Sequence, residues 1–313
     1  MKPWLNPAIA AVALLALGHQ PASAEPQKLY EEHCASCHGP QRLGAVGRAL
    51  LPENMGRLRG AAIAKVIAEG RDATQMPGFS QLLKPEEIDA LAAYVSKPLP
   101  AMPSWGMAEI VASRVIERQP PALAKPAFAA DPLNLFVVVE IGDHHATIMD
   151  GDTLEPLTRF PTRFALHGGP KFSPDGRFVY FMSRDGWVEK YDIWSLQKIG
   201  EVRAGINARN IALSADGKTI AVANYLPNSL VLLSAEDLSP IRVIDAVDTA
   251  GKSSRVSAVY QARPRDSFVV ALKDVPEIWE IPTKSGDFPL RRIKTDEPLD
   301  DFFFDPSYAH VFG

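Results

Sequence analysis

Residues 172–181 read FSPDGRFVYF, and residues 213–222 read LSADGKTIAV. Each segment places an Asp-Gly turn between two short runs of strand-forming residues, which is the pattern of a β-hairpin. Weaker copies of the same motif occur at residues 262–270 (ARPRDSFVV) and 304–312 (FDPSYAHVF). The period of roughly 40 to 50 residues is that of the four-stranded blades of a β-propeller. A β-sandwich of regular hairpins is the alternative, and the repeated turn favours the propeller.

The repeats predict about four blades in residues 133–313 and the opening strand of one more, in which the sequence stops. We call residues 133–313 the propeller region. Because a propeller protects its edge strands only when the ring of blades closes, we expect this chain to be a C-terminally truncated form of a longer protein. Any site on the propeller axis would then include residues that are absent here.

A second motif lies upstream, in residues 25–97, which we call the c domain. Cys34-Ala-Ser-Cys37-His38 contains the only two cysteines of the chain. Two cysteines at this spacing, followed directly by histidine, are the pattern of covalent haem c attachment. The two thiols attach to the vinyl groups of one porphyrin, and His38 ligates the iron. A thioredoxin-like pair or part of a zinc site are the alternatives, and the lack of further cysteines disfavours both.

The sixth ligand of the haem iron is expected downstream of the motif. Met76 lies in the sequence Gln75-Met-Pro-Gly-Phe79, whose Pro-Gly pair would hold a ligand-bearing loop in place. A methionine ligand raises the potential of the haem. Met55 is the competing candidate, but it has no such turn chemistry beside it. A helix is predicted to begin at Pro85, with apolar residues at helical spacing after it.

The remaining segments frame these two domains. Residues 98–132 are rich in proline and alanine and predict a linker, with one helical stretch at residues 106–118. Residues 1–24 combine a positive start, a short apolar run and Ala22-Ser-Ala24, the pattern of a signal peptide with Glu25 as the first mature residue. The apolar run is too short to span a membrane comfortably. The net charge of -4 argues against nucleic acid as a partner. We therefore expect a periplasmic protein with no membrane span in the mature chain.

A haem c domain followed by this propeller resembles the cytochrome cd1 family, whose eight-bladed propeller binds haem d1. The resemblance covers the chain from Glu25 to Gly313. It implies two domains: a helical class I cytochrome c domain, and an all-β, eight-bladed propeller that is incomplete in this chain. It also implies two bound groups, a covalent haem c and either haem d1 or its dihydro precursor.

Short sequence motifs extend the resemblance to single residues. Family members carry a histidine just before an S-x-x-G-R turn, and this histidine ligates the haem d1 iron; here His167 precedes Ser173-Pro-Asp-Gly-Arg177. Two arginines of the family match Arg184 and Arg209. Guanidinium groups suit haem d1 because that macrocycle bears several carboxylates. Without the resemblance, each of the three would be an ordinary loop or surface residue.

Two adjacent histidines, His144 and His145, lie one hairpin upstream of His167. Neighbouring side chains on a strand point to opposite faces, so at most one of them faces the same central cavity. The candidates for the general base are His145 and a residue of the absent blades.

The resemblance implies one of two activities, or a third, non-catalytic role as a haem d1 carrier. One activity is the dehydrogenation of dihydro-haem d1, which converts a propionate side chain to an acrylate. The other is the reduction of nitrite to nitric oxide. The reductase pattern has an arginine–aspartate pair where this chain has Ile141-Gly-Asp143, so we expect the dehydrogenation. Electrons would leave through haem c to an unidentified acceptor protein, and a nitrite reductase is the expected recipient of the product.

Overall fold

A computed structural model of the chain describes residues 25–56 and 58–313. The signal peptide expected at residues 1–24 lies outside the described residues. Within those residues, the helices are all too short or too polar to cross a membrane.

The c domain is built from short helices, and one further helix follows it. The helices are α1 (Pro26–His33), α2 (Ala35–His38), α3 (Pro52–Met55), α4 (Ala61–Glu69), α5 (Pro85–Val95) and α6 (Met107–Ser113). The predicted start of α5 at Pro85 is confirmed, and the Glu87 carboxylate caps it by accepting the Lys84 N–H at 2.9 Å. The apolar face of α5 packs onto α1 and α4 around the fully buried Tyr30 and Leu91.

In the rest of the described chain, the regular secondary structure is almost entirely β-strand. The strands are β1 (Val115–Ile116), β2 (Leu135–Glu140), β3 (His145–Asp150), β4 (Pro156–Pro161), β5 (Lys171–Phe172), β6 (Phe178–Met182), β7 (Trp187–Asp192), β8 (Gln197–Arg203), β9 (Asn207–Leu213), β10 (Thr219–Leu226), β11 (Ser229–Ser234), β12 (Pro240–Asp245), β13 (Val256–Ala262), β14 (Ser267–Leu272), β15 (Glu277–Pro282), β16 (Arg291–Lys294), β17 (Phe303–Phe304) and β18 (Val311–Phe312). They form antiparallel sheets of sequential strands: β2–β4, β5–β8 with β1 at the edge, β9–β12, β13–β16 and β17–β18.

The repeated turns have the same chemistry in successive sheets. The carboxylate of Asp175 accepts hydrogen bonds from the Ser173 hydroxyl and the Arg177 N–H, and Asp216 does the same for Ser214 and Lys218. The glycine after each aspartate has a positive φ, which glycine adopts without strain. The Asp-Gly repeat therefore marks the first hairpin of each of these two sheets, as predicted.

Successive sheets pack face to face, and an apolar cluster fills each interface. The four clusters join Ile148 with Phe181, Met182 with Ile211, Leu232 with Trp279, and Val269 with Phe302. Sequential four-stranded sheets that bury both faces against their neighbours are the arrangement of propeller blades. The predicted fold class, a helical cytochrome c domain followed by part of a β-propeller, is confirmed.

The segment predicted as a linker is partly built into the propeller region. Its helix is shorter than the predicted range 106–118, because α6 ends at Ser113 and β1 then pairs with β8. Arg114 stops the helix in an extended conformation and bonds Asp237, Nη2 to Oδ2, at 2.9 Å. Ile110 of α6 is fully buried in the cluster between the second and third sheets.

Candidate functional site

The haem c motif presents its side chains from the junction of α1 and α2. Neither Cys34 nor Cys37 forms a disulfide, and Cys37 is exposed. Burial raises the pKa of the Cys34 thiol to about 11. His38, the last residue of α2, follows directly and is half-buried. The turn thus presents two thiols and one imidazole on successive parts of one short helix.

The His38 imidazole is oriented by a backbone carbonyl. Its Nδ1 lies 2.7 Å from the carbonyl oxygen of Arg48, and since a carbonyl can only accept, Nδ1 carries the proton and Nε2 keeps its lone pair. Burial lowers the pKa of His38, which favours the neutral form that binds metals. Gly47 lies against the ring: a Cβ there would come within 2.8 Å of Cε1. Nε2 is therefore the nitrogen available to an iron.

Met76 lies in a loop that the end of α4 holds in place. The Phe79 N–H donates to the carbonyl of Ile67 at 3.0 Å. Gly70 has a φ of 78°, and a Cβ there would lie 2.6 Å from the Met76 carbonyl oxygen. Met76 packs on the same apolar cluster as Cys34 and Met55. The competing Met55 thus shares the core with Met76, and the held loop remains the feature that separates the two candidates.

These residues fit a covalently bound haem c. Two unpaired thiols, an imidazole with a free Nε2 and a thioether on one apolar cluster are the donor set that such a group needs. His38 and Met76 would bind the iron of such a group, and Cys34 and Cys37 would attach its porphyrin.

A second cluster of candidate residues forms where the second and third sheets meet. Backbone hydrogen bonds align its members: the His167 N–H donates to the Met182 carbonyl at 2.8 Å, and the Ala208 N–H donates to the Arg184 carbonyl at 2.9 Å. Arg209 follows Ala208 in β9. The structure therefore brings His167, Arg184 and Arg209 together, and we call these three residues the His167 cluster.

The His167 ring contacts Arg209 through both nitrogens. Nδ1 donates to the Arg209 carbonyl at 2.9 Å, and Nε2 accepts from the Arg209 guanidinium at 2.8 Å. Burial lowers the pKa of His167, and the positive charges of Arg184, Arg209 and Arg48 lower it further. The imidazole is therefore neutral, with its Nε2 lone pair directed at a cation.

Arg184 is a half-buried cation with unused hydrogen-bonding capacity. Its Nη1 is buried and has no partner among the described residues. Burial lowers its pKa, and the charges of Arg209 and Arg48 act in the same direction. An uncompensated cluster of guanidinium groups is costly unless an anion pairs with it. The cluster thus fits a ligand with several carboxylates and a metal that accepts imidazole nitrogen.

Sequence reasoning missed four residues that lie around the cluster. Arg48 comes from the c domain and acts electrostatically on His167 and Arg184. The Tyr225 hydroxyl donates to Asp300 at 3.2 Å, and the Tyr260 hydroxyl donates to Asp301 at 2.8 Å. The residues missed are Arg48, Tyr225, Tyr260 and Asp300. They belong to different strands and loops, and no motif in the sequence marks them.

His145 has its contacts within its own hairpin. Its Nδ1 lies 2.9 Å from the Asp143 carbonyl, and Asp143 in turn pairs with Arg159 of β4. His144 precedes β3 with a φ of 63° and stacks edge-on against Phe164. The hairpin tip abuts the Met76 loop, since a Cβ on Gly142 would lie 2.5 Å from the Ala73 carbonyl. The described hydrogen bond of His145 thus lies within its own hairpin, whose tip at Gly142 lies beside the c domain.

Asp185, the residue after Arg184 of the His167 cluster, connects the two domains. Its Oδ2 accepts the Ala49 N–H at 2.9 Å, while Oδ1 is buried without a partner among the described groups. Burial raises the pKa of Asp185 to about 7, although Arg203 and the Ala49 N–H oppose this shift. Asp185 is thus a carboxyl group that titrates near neutral pH inside the domain interface.

Comparisons with known proteins agree with this arrangement. The chain is 54% identical over 307 residues to the dihydro-heme d1 dehydrogenase of Pseudomonas aeruginosa, which covers 96% of this chain and 61% of that protein. A solved structure of dihydro-heme d1 dehydrogenase NirN in complex with DHE matches with a TM-score of 0.86 and 54% identity, over 92% of this chain and 62% of that one. The nitrite reductase of Stutzerimonas stutzeri is 27% identical over 315 residues, 90% of this chain and 54% of that protein.

The chain thus spans about three fifths of the length of the dehydrogenase that it matches. Two family models match as well. Residues 21–95 match the family described as cytochrome c oxidase, cbb3-type, subunit III, and residues 130–313 match the family described as cytochrome D1 heme domain. Because the second match takes in more than half of the sequence, this chain belongs to the cytochrome D1 heme domain family.

Proposed function

We propose that this chain acts in the periplasm as an oxidoreductase that dehydrogenates dihydro-haem d1 to haem d1. The observation that carries the proposal is the half-buried His167 cluster, in which an imidazole and two guanidinium groups meet beside a haem c domain. A polycarboxylate tetrapyrrole with a central iron has the groups that this cluster would bind. The 54% identity to a dihydro-heme d1 dehydrogenase, against 27% to a nitrite reductase, supports the choice between the two activities.

In this proposal, His167 ligates the iron of the substrate through Nε2. Arg184 and Arg209 pair with carboxylates of the macrocycle and fix its orientation. Conversion of the propionate to an acrylate breaks two C–H bonds and releases two electrons and two protons. When bound by Cys34, Cys37 and His38, haem c would accept one electron at a time, so the two electrons would leave singly.

His145 is the proposed general base. Because its Nδ1 donates to the Asp143 carbonyl, Nε2 keeps the lone pair that can take a proton. The electrons then pass to an external acceptor protein. We propose that the product passes to a nitrite reductase, which is a protein class that uses haem d1.

The test mixes the complete, periplasmically matured protein with dihydro-haem d1 under anaerobic conditions and follows the d-type and haem c absorption bands together. We expect the spectrum of the precursor to change to that of haem d1 while haem c becomes reduced. If the protein instead retains haem d1, leaves the precursor unchanged and consumes nitrite, the reductase assignment replaces this one. If the protein binds the precursor without converting it or reducing haem c, the chain is a carrier.

A further inference from the structure

Arg48 belongs to the c domain, but its surroundings belong to the propeller region. The segment that carries it is fixed against the residues next to the His167 cluster. The Ala49 N–H bonds Asp185, which follows Arg184, and the Asn54 amide donates to the Ile206 carbonyl at 3.2 Å. Ala49 and Ile206 are both buried in one apolar cluster between the two domains. The backbone at Arg48 is therefore held against this part of the propeller region.

The Arg48 guanidinium has N–H donors without a hydrogen-bond partner among the described residues. Its Nη2 donates to the Asn54 carbonyl at 2.5 Å, and its Nε is buried without a partner among the described residues. The charge of Arg48 acts on His167, on Arg184 and on Asp185, so its guanidinium lies in the same electrostatic neighbourhood as theirs. A guanidinium in that position is available for a bidentate pair with a carboxylate.

The charges around this point do not balance. The Arg209 guanidinium contacts His167, and the charges of Arg48 and Arg184 act on the same ring. The carboxylates that act on them are Asp185, which accepts a backbone N–H, and Asp300, which is already paired with Lys273. Among the described residues, three cations thus share two carboxylates that have other partners. An anionic ligand is the remaining source of compensation.

We propose that Arg48 binds a carboxylate of the tetrapyrrole, as a third guanidinium beside Arg184 and Arg209, so that both domains hold the substrate jointly. This inference rests on the proposed function. It adds a binding residue that lies outside the propeller region. The carbonyl of the same residue accepts from the His38 imidazole, so Arg48 would contact both the substrate and the proposed histidine ligand of haem c.

The test is an anaerobic titration of the full chain, with haem c attached, with dihydro-haem d1. We expect Arg48→Gln to weaken binding roughly 10- to 100-fold, the usual effect of losing one charge-assisted pair. Arg184→Gln serves as the positive control. Lys65→Gln removes the same charge from an exposed position of α4 and should leave the affinity unchanged. Because the carbonyl of residue 48 holds His38, the haem c spectrum of Arg48→Gln should be that of the wild type.

A second measurement uses the wild-type protein, so it does not depend on how the variant folds. Bound dihydro-haem d1 should protect Arg48 from phenylglyoxal, read by peptide mass spectrometry, while the exposed Arg71 stays reactive. Full reactivity of Arg48 in the complex would overturn the inference, as would wild-type affinity in Arg48→Gln when Arg184→Gln is weakened; both results leave the proposed function standing. A wild-type protein that does not bind the tetrapyrrole overturns the proposed function and the inference with it.

Discussion

The His167 imidazole lies between two groups of one residue, because Arg209 accepts from Nδ1 with its carbonyl and donates to Nε2 with its guanidinium. The first contact fixes the tautomer that exposes the Nε2 lone pair. The second contact occupies that lone pair. Iron ligation by His167 would therefore displace the Arg209 guanidinium, which then becomes free to pair with a carboxylate of the same ligand.

Loss of a residue that only supports a metal ligand weakens metal binding roughly 10- to 100-fold. Because His167 is the proposed ligand itself, His167→Ala should weaken the binding of dihydro-haem d1 by more than this. Absorption titration under anaerobic conditions measures the affinity. His310→Ala, at an exposed histidine of the same region, is the matched control and should bind like the wild type. Equal affinity in the His167 variant would remove this residue from the site.

Met76→Ala should lower the midpoint potential of haem c, on the order of 100 mV, since axial ligands set haem potentials over about 0.8 V. Electron exit from the substrate should slow, while the affinity for the tetrapyrrole should not change. Potentiometric titration and stopped-flow absorption measure the two effects. Met55→Ala packs on the same core and should leave the potential unchanged; the reverse result would identify Met55 as the ligand.

Asp185 should make the protein less stable as the pH rises. Its pKa is about 7 in the folded chain against 3.8 for the free side chain, so the folded state binds the proton more tightly. The free energy of unfolding therefore falls between pH 4 and pH 7. In Asp185→Asn this loss should disappear, so that from pH 5 to pH 8 the variant gains a few kcal/mol over the wild type, at about 1.4 kcal/mol per pKa unit.

Urea unfolding of both proteins at several pH values measures this difference. The amide oxygen of the asparagine can still accept the Ala49 N–H, which makes the substitution conservative. Parallel pH profiles for the two proteins would show that Asp185 does not titrate in this range.

Ile110→Ala should destabilise the protein by about 2–5 kcal/mol, because α6 buries this side chain completely in the propeller region. Val111, the next residue on the same helix, is 59% exposed, and Val111→Ala should change the stability by less than about 0.5 kcal/mol. Denaturant unfolding followed by tryptophan fluorescence measures both. Equal stability of the two variants would mean that α6 is not part of the folded core.

Patterns in the sequence predicted those features that local spacing encodes. The Cys34-x-x-Cys-His38 motif, the start of α5 at Pro85 and the Asp-Gly turns each involve residues within about one turn of one another. The order of the sheets followed from the repeat. Each of these features depends on a short stretch of backbone, so the residues of that stretch are sufficient to predict it.

Features that depend on distant residues could not be predicted in this way. The charge of Arg48 acts on His167 and Arg184 only because the domains dock, and Ala49 lies 136 residues from its partner Asp185. The pairing of β1 with β8 likewise depends on residues that α6 brings into place. His145 is held within its own hairpin by the Asp143 carbonyl, and its role as the general base stays a prediction.

The anchoring of α6 limits how far the two halves of the molecule can separate. The Trp105 indole donates to the Arg203 carbonyl at 2.9 Å, so the segment that joins the two domains runs only from the end of α5 to that point. Residues 96–104, even fully extended, reach about 30 Å. A c domain joined to the propeller region by such a segment stays at an effective concentration on the order of millimolar beside it. Electron transfer between the two halves should therefore follow first-order kinetics whose rate constant does not change on dilution.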